Sequence, residues 1–255
     1  MQRLVQHPDF EKMTQREYDP DPNVLDGFMR GEFAERNQIL RDHPHALRSV
    51  LYWDDFEACM ALSSHASGKQ KLGALYLTLD NFDPRYRGNL DTISLVALVR
   101  SSYVKEHGIN AVLKRPVEDL KKLGDGVMMN GKNVFGTLIA VEGDNLASHE
   151  CGGYKCGFTA HKPCRTCNCT LEEIRSGVEV KESMLRTSRQ YDEQITEIEN
   201  ARTQKIAEEK SKEYGLVQRS ELNKLSFHVQ NGLPPAKFSN NAKFVAYLRK
   251  IGIDI

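Results

Sequence analysis

Residues 45–57, HALRSVLYWDDFE, decide how the chain is read. The first nine, His45–Trp53, are rich in large apolar and aromatic side chains and read as a strand, and the run ends in the acidic cluster Asp54, Asp55 and Glu57. Leu72–Leu79 (LGALYLTL) is a second strand, and Asn81–Leu90, with Pro84 and Gly88, is a connection. Ile93–Tyr103 (ISLVALVRSSY) is a third strand, whose nearly continuous apolar run suits burial on both faces.

A helix follows. Asn110 is its expected N-cap; Val112, Leu113, Val117, Leu120 and Leu123 lie near one face, and Gly124 stands at the stop. Pro116 either starts the regular helix or kinks it. Val127–Val141 reads as a hairpin turned at Asn130–Gly131 that runs into a fourth strand, ending at Gly143–Asp144–Asn145.

The order strand–strand–strand–helix–strand is that of an RNase H-like domain: an α/β mixed sheet of three antiparallel strands, a helix, and a fourth strand beside the first. Asp54 and Asp144 would then project from neighbouring strand ends into one crevice. Two carboxylates there suit Mg²⁺ or Mn²⁺, hard ions that take oxygen ligands. Such ions activate a water or 3′-hydroxyl and stabilise the leaving oxygen of a phosphodiester. The plain alternative is a pair of ordinary turn acids.

The second constellation is a Cys/His cluster. The chain has six cysteines and eight histidines, and half of these residues fall between His149 and Cys169. Cys164-Arg-Thr-Cys167 is a CxxC whose thiolates can point at one zinc, with Cys156 and His161 as the first candidates to complete the set; His149, Cys151 and Cys169 are further candidates. Unrelated reduced thiols are the alternative. A redox CxxC fits less well, because the strand–CxxC–helix setting of a thioredoxin-like unit is missing. A third segment, Ser64–Lys71 (SHASGKQK), could touch phosphate but lacks P-loop spacing.

Around these elements, residues 1–44 read as a peripheral polar arm with a helix over Asn23–Leu40. The core is expected over 45–148, the zinc-binding segment over 149–169, and a charged helical region over 170–255. In that last region Ser183–Glu213 mixes both charge signs at low apolar content, so it reads as one or two solvated helices. Ala236–Ile255 reads as a short helix and a tail.

Composition bounds the function. The 255 residues are 40% apolar, enough for a real core and too apolar for wholesale disorder. Lys plus Arg equals Asp plus Glu at 35 each, which excludes a globally basic nucleic-acid coat but not a local groove. No apolar run reaches the roughly 20 residues of a membrane helix, and residues 1–20 carry no secretory pattern. The few cysteines favour an intracellular compartment, nuclear or cytoplasmic.

Four stretches carry a family resemblance: LYWDDFEACMALSSH (51–65), KLGALYLTLDNFDPRYRGNLDTISLVALVRSSYVKEHGI (71–109), GTLIAVEGDNLASH (136–149) and CRTC (164–167). In order and spacing they resemble animal proteins derived from CACTA (En/Spm-like) transposases, over roughly Asn23 to Pro235. The resemblance implies a DDE/D recombinase with an RNase H-like core, a divalent metal and a DNA partner. It places the first catalytic Asp on Asp54, the second on Asp144 and a zinc-binding pair on Cys164 and Cys167. Asp55 stands where the family has Gly, which leaves it as an alternative ligand.

The departures matter as well. Met60-Ala61 replaces the family's Asn-Pro, and Cys151 and Cys156 have no counterpart. Past Leu233-Pro234-Pro235 relatives carry a His-Asp segment and the third acid, where this chain reads AKFSNNAKFVAYLRKIGIDI. Glu172 and Glu173 follow the CxxC too closely to replace that acid. The expectation is a truncated, catalytically incomplete transposase-derived protein. The alternatives are a non-enzymatic zinc-stabilised module that binds DNA or protein, or a product without function.

Overall fold

The computed structural model describes residues 5–6, 8–14, 28–30, 32–57, 71–86, 88–129, 131–156 and 160–232. Its elements in chain order begin with three short helices, α1 (Phe10–Met13), α2 (Glu32–Arg36) and α3 (Gln38–Asp42). Strands β1 (Leu47–Glu57), β2 (Lys71–Leu79) and β3 (Ser94–Arg100) follow, then helices α4 (Ser101–His107) and α5 (Ile109–Asp125). A small hairpin, β4 (Val127–Met129) and β5 (Lys132–Val134), leads to β6 (Gly136–Gly143) and α6 (Asn145–Gly152). The remainder is helical: α7 (Leu171–Arg175), α8 (Ser188–Glu199), α9 (Gln204–Tyr214) and α10 (Val229–Gly232).

The architecture is mixed α/β. Four strands form one sheet in the order β3-β2-β1-β6, with β1 antiparallel to β2, β2 antiparallel to β3, and β6 parallel to β1. The fourth long strand therefore lies beside the first, as the element order anticipates. The parallel return needs a crossover, and α4 and α5 supply it.

Alternation along β1 assigns the faces. Leu47, Leu51 and Trp53 enter the main core with α5, whose Val112, Leu113, Val117, Leu120 and Leu123 are all buried there. Each such side chain contributes about 1.5–3 kcal/mol by leaving water. On the opposite face Ala46 and Val50 join Ile139 and Ala140 of β6 under Phe28, Ala34 and Leu40 of the N-terminal helices. Trp53 lies flat across Gly73 of β2: a Cβ at Gly73 would stand 2.2 Å from Trp53 Cη2. Only glycine admits that close approach.

Several sequence expectations need correction. β1 does not stop before the acids; Asp54 and Asp55 are inside it, paired with Ala74 and Gly73. Its pleat sends consecutive acids to opposite faces. β3 ends at Arg100, and Ser101–His107 is helix. Nor is β3 buried on both faces: it is an edge strand, and Leu95, Val96 and Leu98 are exposed. A continuous apolar run does not distinguish a central strand from an uncovered one. Asn110 does not cap α5, which begins at Ile109 after Gly108 at φ +76°. Instead its side chain donates to Arg219 O at 2.8 Å and accepts from Glu221 N at 3.0 Å, fastening α5 to the C-terminal segment. Pro116 lies inside α5. The described part of the expected Asn23–Leu40 helix is broken into a 3₁₀ turn (Phe28–Arg30), α2 and the start of α3.

Other readings hold. The charged region forms two helices, α8 and α9, capped by Thr187 and Thr203. Most of Ser64–Lys71, residue 130 of the expected turn and Ala236–Ile255 lie outside the described residues.

Candidate functional site

The two sequence-predicted acids are register neighbours. In the parallel β1–β6 ladder Trp53 pairs with Gly143, so Asp54 of β1 and Asp144, which directly follows β6, come next on each side. Adjacent strands lie about 4.8 Å apart, so their backbones start within reach of one small ion. The Tyr52 hydroxyl marks the shared space. It hydrogen-bonds Asp54, and its pKa is raised by partial burial and then by the charges of Asp54, Asp144 and Glu142. Creating a negative phenolate beside three carboxylates is unfavourable.

Asp144 also has a structural task. It is the N-cap of α6, and its Oδ1 accepts from Ala147 N at 2.7 Å. One carboxylate oxygen is thereby committed to the helix. A cap of this kind contributes about 1 kcal/mol, so the turn-acid reading of Asp144 is true of the fold whatever else the residue does.

Asp55 sits on the other side of the sheet, with Trp53. It accepts from Ser101 Oγ at 3.1 Å and pairs with Lys71 at 3.7 Å. Sequence reasoning missed the residue that faces it, Glu150 of α6. Glu150 Oε2 accepts from Trp53 Nε1 at 3.3 Å. Burial raises the Glu150 pKa, the Trp53 bond opposes that, and the charges of Asp55 and Asp144 raise it further. Nothing in the local sequence around Glu150 signals this contact, because it depends on α6 folding back over β1. Among the described residues, no three Asp, Glu, His or Cys side chains group so as to hold a metal ion.

The carboxylates just beyond the CxxC are accounted for locally. Thr170 and Glu173 form a capping box on α7: Glu173 Oε2 accepts from Thr170 N at 2.7 Å and from its hydroxyl at 2.9 Å. These bonds hold the Glu173 carboxyl below its ordinary range.

The CxxC does close on itself. Cys164 and Cys167 hydrogen-bond through their side chains; that contact and burial push the Cys164 thiol up. Thr166 N donates to Cys164 Sγ at 3.4 Å. Beneath the loop lies Arg186, buried, which donates to the carbonyls of Cys164 (2.9 Å), Lys162 (2.9 Å), Tyr214 (2.6 Å) and Cys167 (3.2 Å). A guanidinium with five fixed donors is suited to gathering several carbonyls at once.

Among the described residues none of the other zinc candidates groups with the pair as a third ligand. Cys156 is exposed; burial and the charges of Glu150 and Asp144 push its thiol up to about 11, which places it at the acidic end of the sheet. His161 is exposed. Both ring nitrogens of His149 are engaged, Nδ1 with Asn145 O at 2.6 Å and Nε2 with Pro163 O at 3.2 Å. Cys151 and Cys169 are buried. The described residues thus offer zinc two thiols, which does not fit a closed four-ligand site.

No helix among the described residues is long and apolar enough to cross a membrane. The chain matches no protein-family model and no curated protein.

Proposed function

We propose that this is a CACTA-transposase-derived protein with an RNase H-like core. Its ancestral chemistry is metal-dependent cleavage and transfer of DNA strands, and it is catalytically incomplete here. The observation that carries the reading is the adjacency of Asp54, inside β1, and Asp144, just past the end of β6, each one residue beyond the paired Trp53 and Gly143, in a sheet of order β3-β2-β1-β6.

Two carboxylates fit Mg²⁺ or Mn²⁺, which need only one or two protein carboxylates when water and phosphate oxygens complete the shell. When bound, such an ion activates a water or 3′-hydroxyl for attack on a phosphodiester. Asp54 and the free oxygen of Asp144 would hold it, and Tyr52 would orient Asp54 through their hydrogen bond. The incompleteness rests on the third acid. Glu173 is committed to its capping box, and no trio of ligands is assembled among the described residues.

Calorimetric titration with Mn²⁺ tests this. The expected result is weak binding to the wild type, lost in Asp54→Asn and in Asp144→Asn and kept in Asp55→Asn, with no nicking of plasmid DNA. Binding indifferent to both Asp54 and Asp144 sinks the metal site. Nicking that requires both acids sinks the claim of incompleteness.

A second reading, a non-enzymatic zinc-stabilised module binding DNA or protein, rests on the contact between Cys164 and Cys167. It requires stoichiometric zinc in the purified protein and loss of fold on chelation.

A further inference from the structure

His228 stands just before α10, the short helix that packs against α8, α6 and β6. Its Nδ1 accepts a hydrogen bond from Gln230 N at 3.1 Å. An accepting Nδ1 carries no proton, so the ring is neutral and its one N–H is on Nε2, 3.4 Å from Asp192 Oδ2. The ring packs edge to face with Tyr191, their centroids 5.2 Å apart. The next residue, Val229, enters the core, and its N donates to Asn223 Oδ1 at 2.9 Å. The Gln230 side chain reaches the cysteine loop. Its Nε2 donates at 3.0 Å to the carbonyl of Arg165, which lies between Cys164 and Cys167, and its Oε1 accepts from the Tyr154 hydroxyl at 2.8 Å.

We propose that His228 is a pH-sensitive clasp: its neutral ring fastens α10 across the Cys164–Cys167 loop, and its protonation releases both. A proton on Nδ1 would face the Gln230 N–H, donor against donor, so the ring cannot carry the charge and keep that bond. Turning the ring away gives up its packing on Tyr191 and frees Gln230, whose side chain is the link from α10 to Arg165 O. Neither the acidic pair nor the thiols take part, so the inference is independent of both functional readings.

The surrounding charges do not rescue the protonated ring. Asp192 of α8 attracts it, but that carboxylate is half-exposed and already bound to Arg219 at 2.8 Å. Arg219, in the segment after α9, repels it. Arg36 of α2 lines the cleft onto which the ring opens. Among the described residues α6 and β6, which also pack against α10, bring no charge to bear on it. Burial therefore outweighs Asp192, and the His228 pKa lies below its ordinary 6.5. A histidine lowered on folding contributes stability that is present above 6.5 and lost as pH falls through the folded value. The clasp is closed at neutral pH and opens in acid.

Hydrogen exchange on the full chain, at about pH 7.5 and about pH 5 and corrected for the intrinsic rate at each pH, is the test. The expected result in acid is a several-fold loss of protection at Val229 N, and at Arg186 N and Asn168 N, which bond the cysteine loop to the 184–186 segment. α5 should keep its protection. His228→Asn sets an oxygen that does not titrate where Nδ1 accepts, and should hold α10 closed at both pH values. Asp192→Asn, at a half-exposed site, should deepen the loss in acid, because it removes the carboxylate that favours the charged ring. Should His228→Asn fail to fold, Asp192→Asn and the imidazole titration by NMR decide. Equal loss in wild type and His228→Asn, no loss at Val229, equal loss in α5, no deepening in Asp192→Asn, or a ring titrating at or above 6.5 would each overturn the proposal.

Discussion

Trp53 Nε1 donates to Glu150 Oε2 across 3.3 Å, tying the end of the central strand β1 to helix α6, which follows its parallel neighbour β6. The bond brings a half-buried carboxylate to the side of the sheet that holds Asp55, within range of both Asp55 and Asp144. The acidic end of the sheet is therefore wider than the two strand-end residues suggest.

Glu150 makes stability depend on pH. Its pKa in the fold is raised above the ordinary 4.5, first by burial. A carboxyl raised on folding favours the protonated native state. Its contribution is fully present below about pH 4.5 and is lost as pH rises through the raised value. Glu150→Gln keeps an acceptor for Trp53 and removes the charge. Urea unfolding should find the variant more stable than wild type at pH 7, with the gap closing by pH 4. A gap constant with pH would show that the Glu150 charge is not felt.

Gly73→Ala should be strongly destabilising, because the new methyl would overlap the Trp53 ring at 2.2 Å and approach Asp55 Oδ1 at 3.0 Å. Overpacking a tight core site costs about 1–3 kcal/mol. Chemical denaturation reads it directly, and Trp53, the chain's one tryptophan, should report the change in its own fluorescence. An unchanged midpoint would mean the ring does not lie over Gly73.

Arg186→Met should loosen the CxxC segment. It leaves the carbonyls of Lys162, Cys164, Cys167 and Tyr214 without their shared donor. Orphaning buried acceptors costs about 1–3 kcal/mol for each group that water cannot reach. Hydrogen exchange should accelerate at Arg186 N and Asn168 N, whose bonds to Thr166 O and Met184 O hold the loop against the 184–186 segment. Exchange at α5 should stay slow. Uniform acceleration instead would mean that Arg186 supports the whole domain.

Asp144 separates capping from ion binding. Asp144→Asn keeps a side-chain oxygen for Ala147 N and should cost little stability, while Asp144→Ala should cost about 1 kcal/mol. Mn²⁺ binding should fall in both. Equal loss of stability in the two variants would show that charge at the start of α6, not the hydrogen bond, is what the helix uses.

Tyr191 is the polar hinge of the C-terminal helices. Its hydroxyl donates to Gly152 O at 2.8 Å and accepts from Ser220 N at 3.3 Å, inside the core. Tyr191→Phe removes the hydroxyl and leaves both groups buried, for a loss of about 1–3 kcal/mol in thermal or urea unfolding. No loss would mean that water replaces the hydroxyl.

How far the sequence could be read varies with the kind of interaction. Strand positions were legible because short runs rich in Val, Leu, Ile and aromatics, bounded by turn residues, report chain that leaves water. The solvated helices α8 and α9 were legible from mixed charge at low apolar content. Faces were not. Whether Asp54 or Asp55 points toward the helices turns on a one-residue pleat, and β1 runs on to Glu57 because Lys71–Leu79 continues to pair with it. The CxxC was visible as a spacing, yet its partner proved to be Arg186, nineteen residues beyond Cys167, which no metal-ligand pattern contains.

By itself the sequence determined the order of the four long strands with a helix before the last, the placement of Asp54 and Asp144 after the apolar cores of β1 and β6, and the closeness of Cys164 to Cys167. These follow from local spacing and from apolar periodicity. Only the tertiary structure decided that β3 is an edge strand, that Glu150 joins the acids, that Asp144 caps a helix, and that no third ligand joins Cys164 and Cys167 among the described residues. Those outcomes depend on which distant segments pack together. That choice is set by the sum of many buried contacts across the fold, and no window of neighbouring residues carries it.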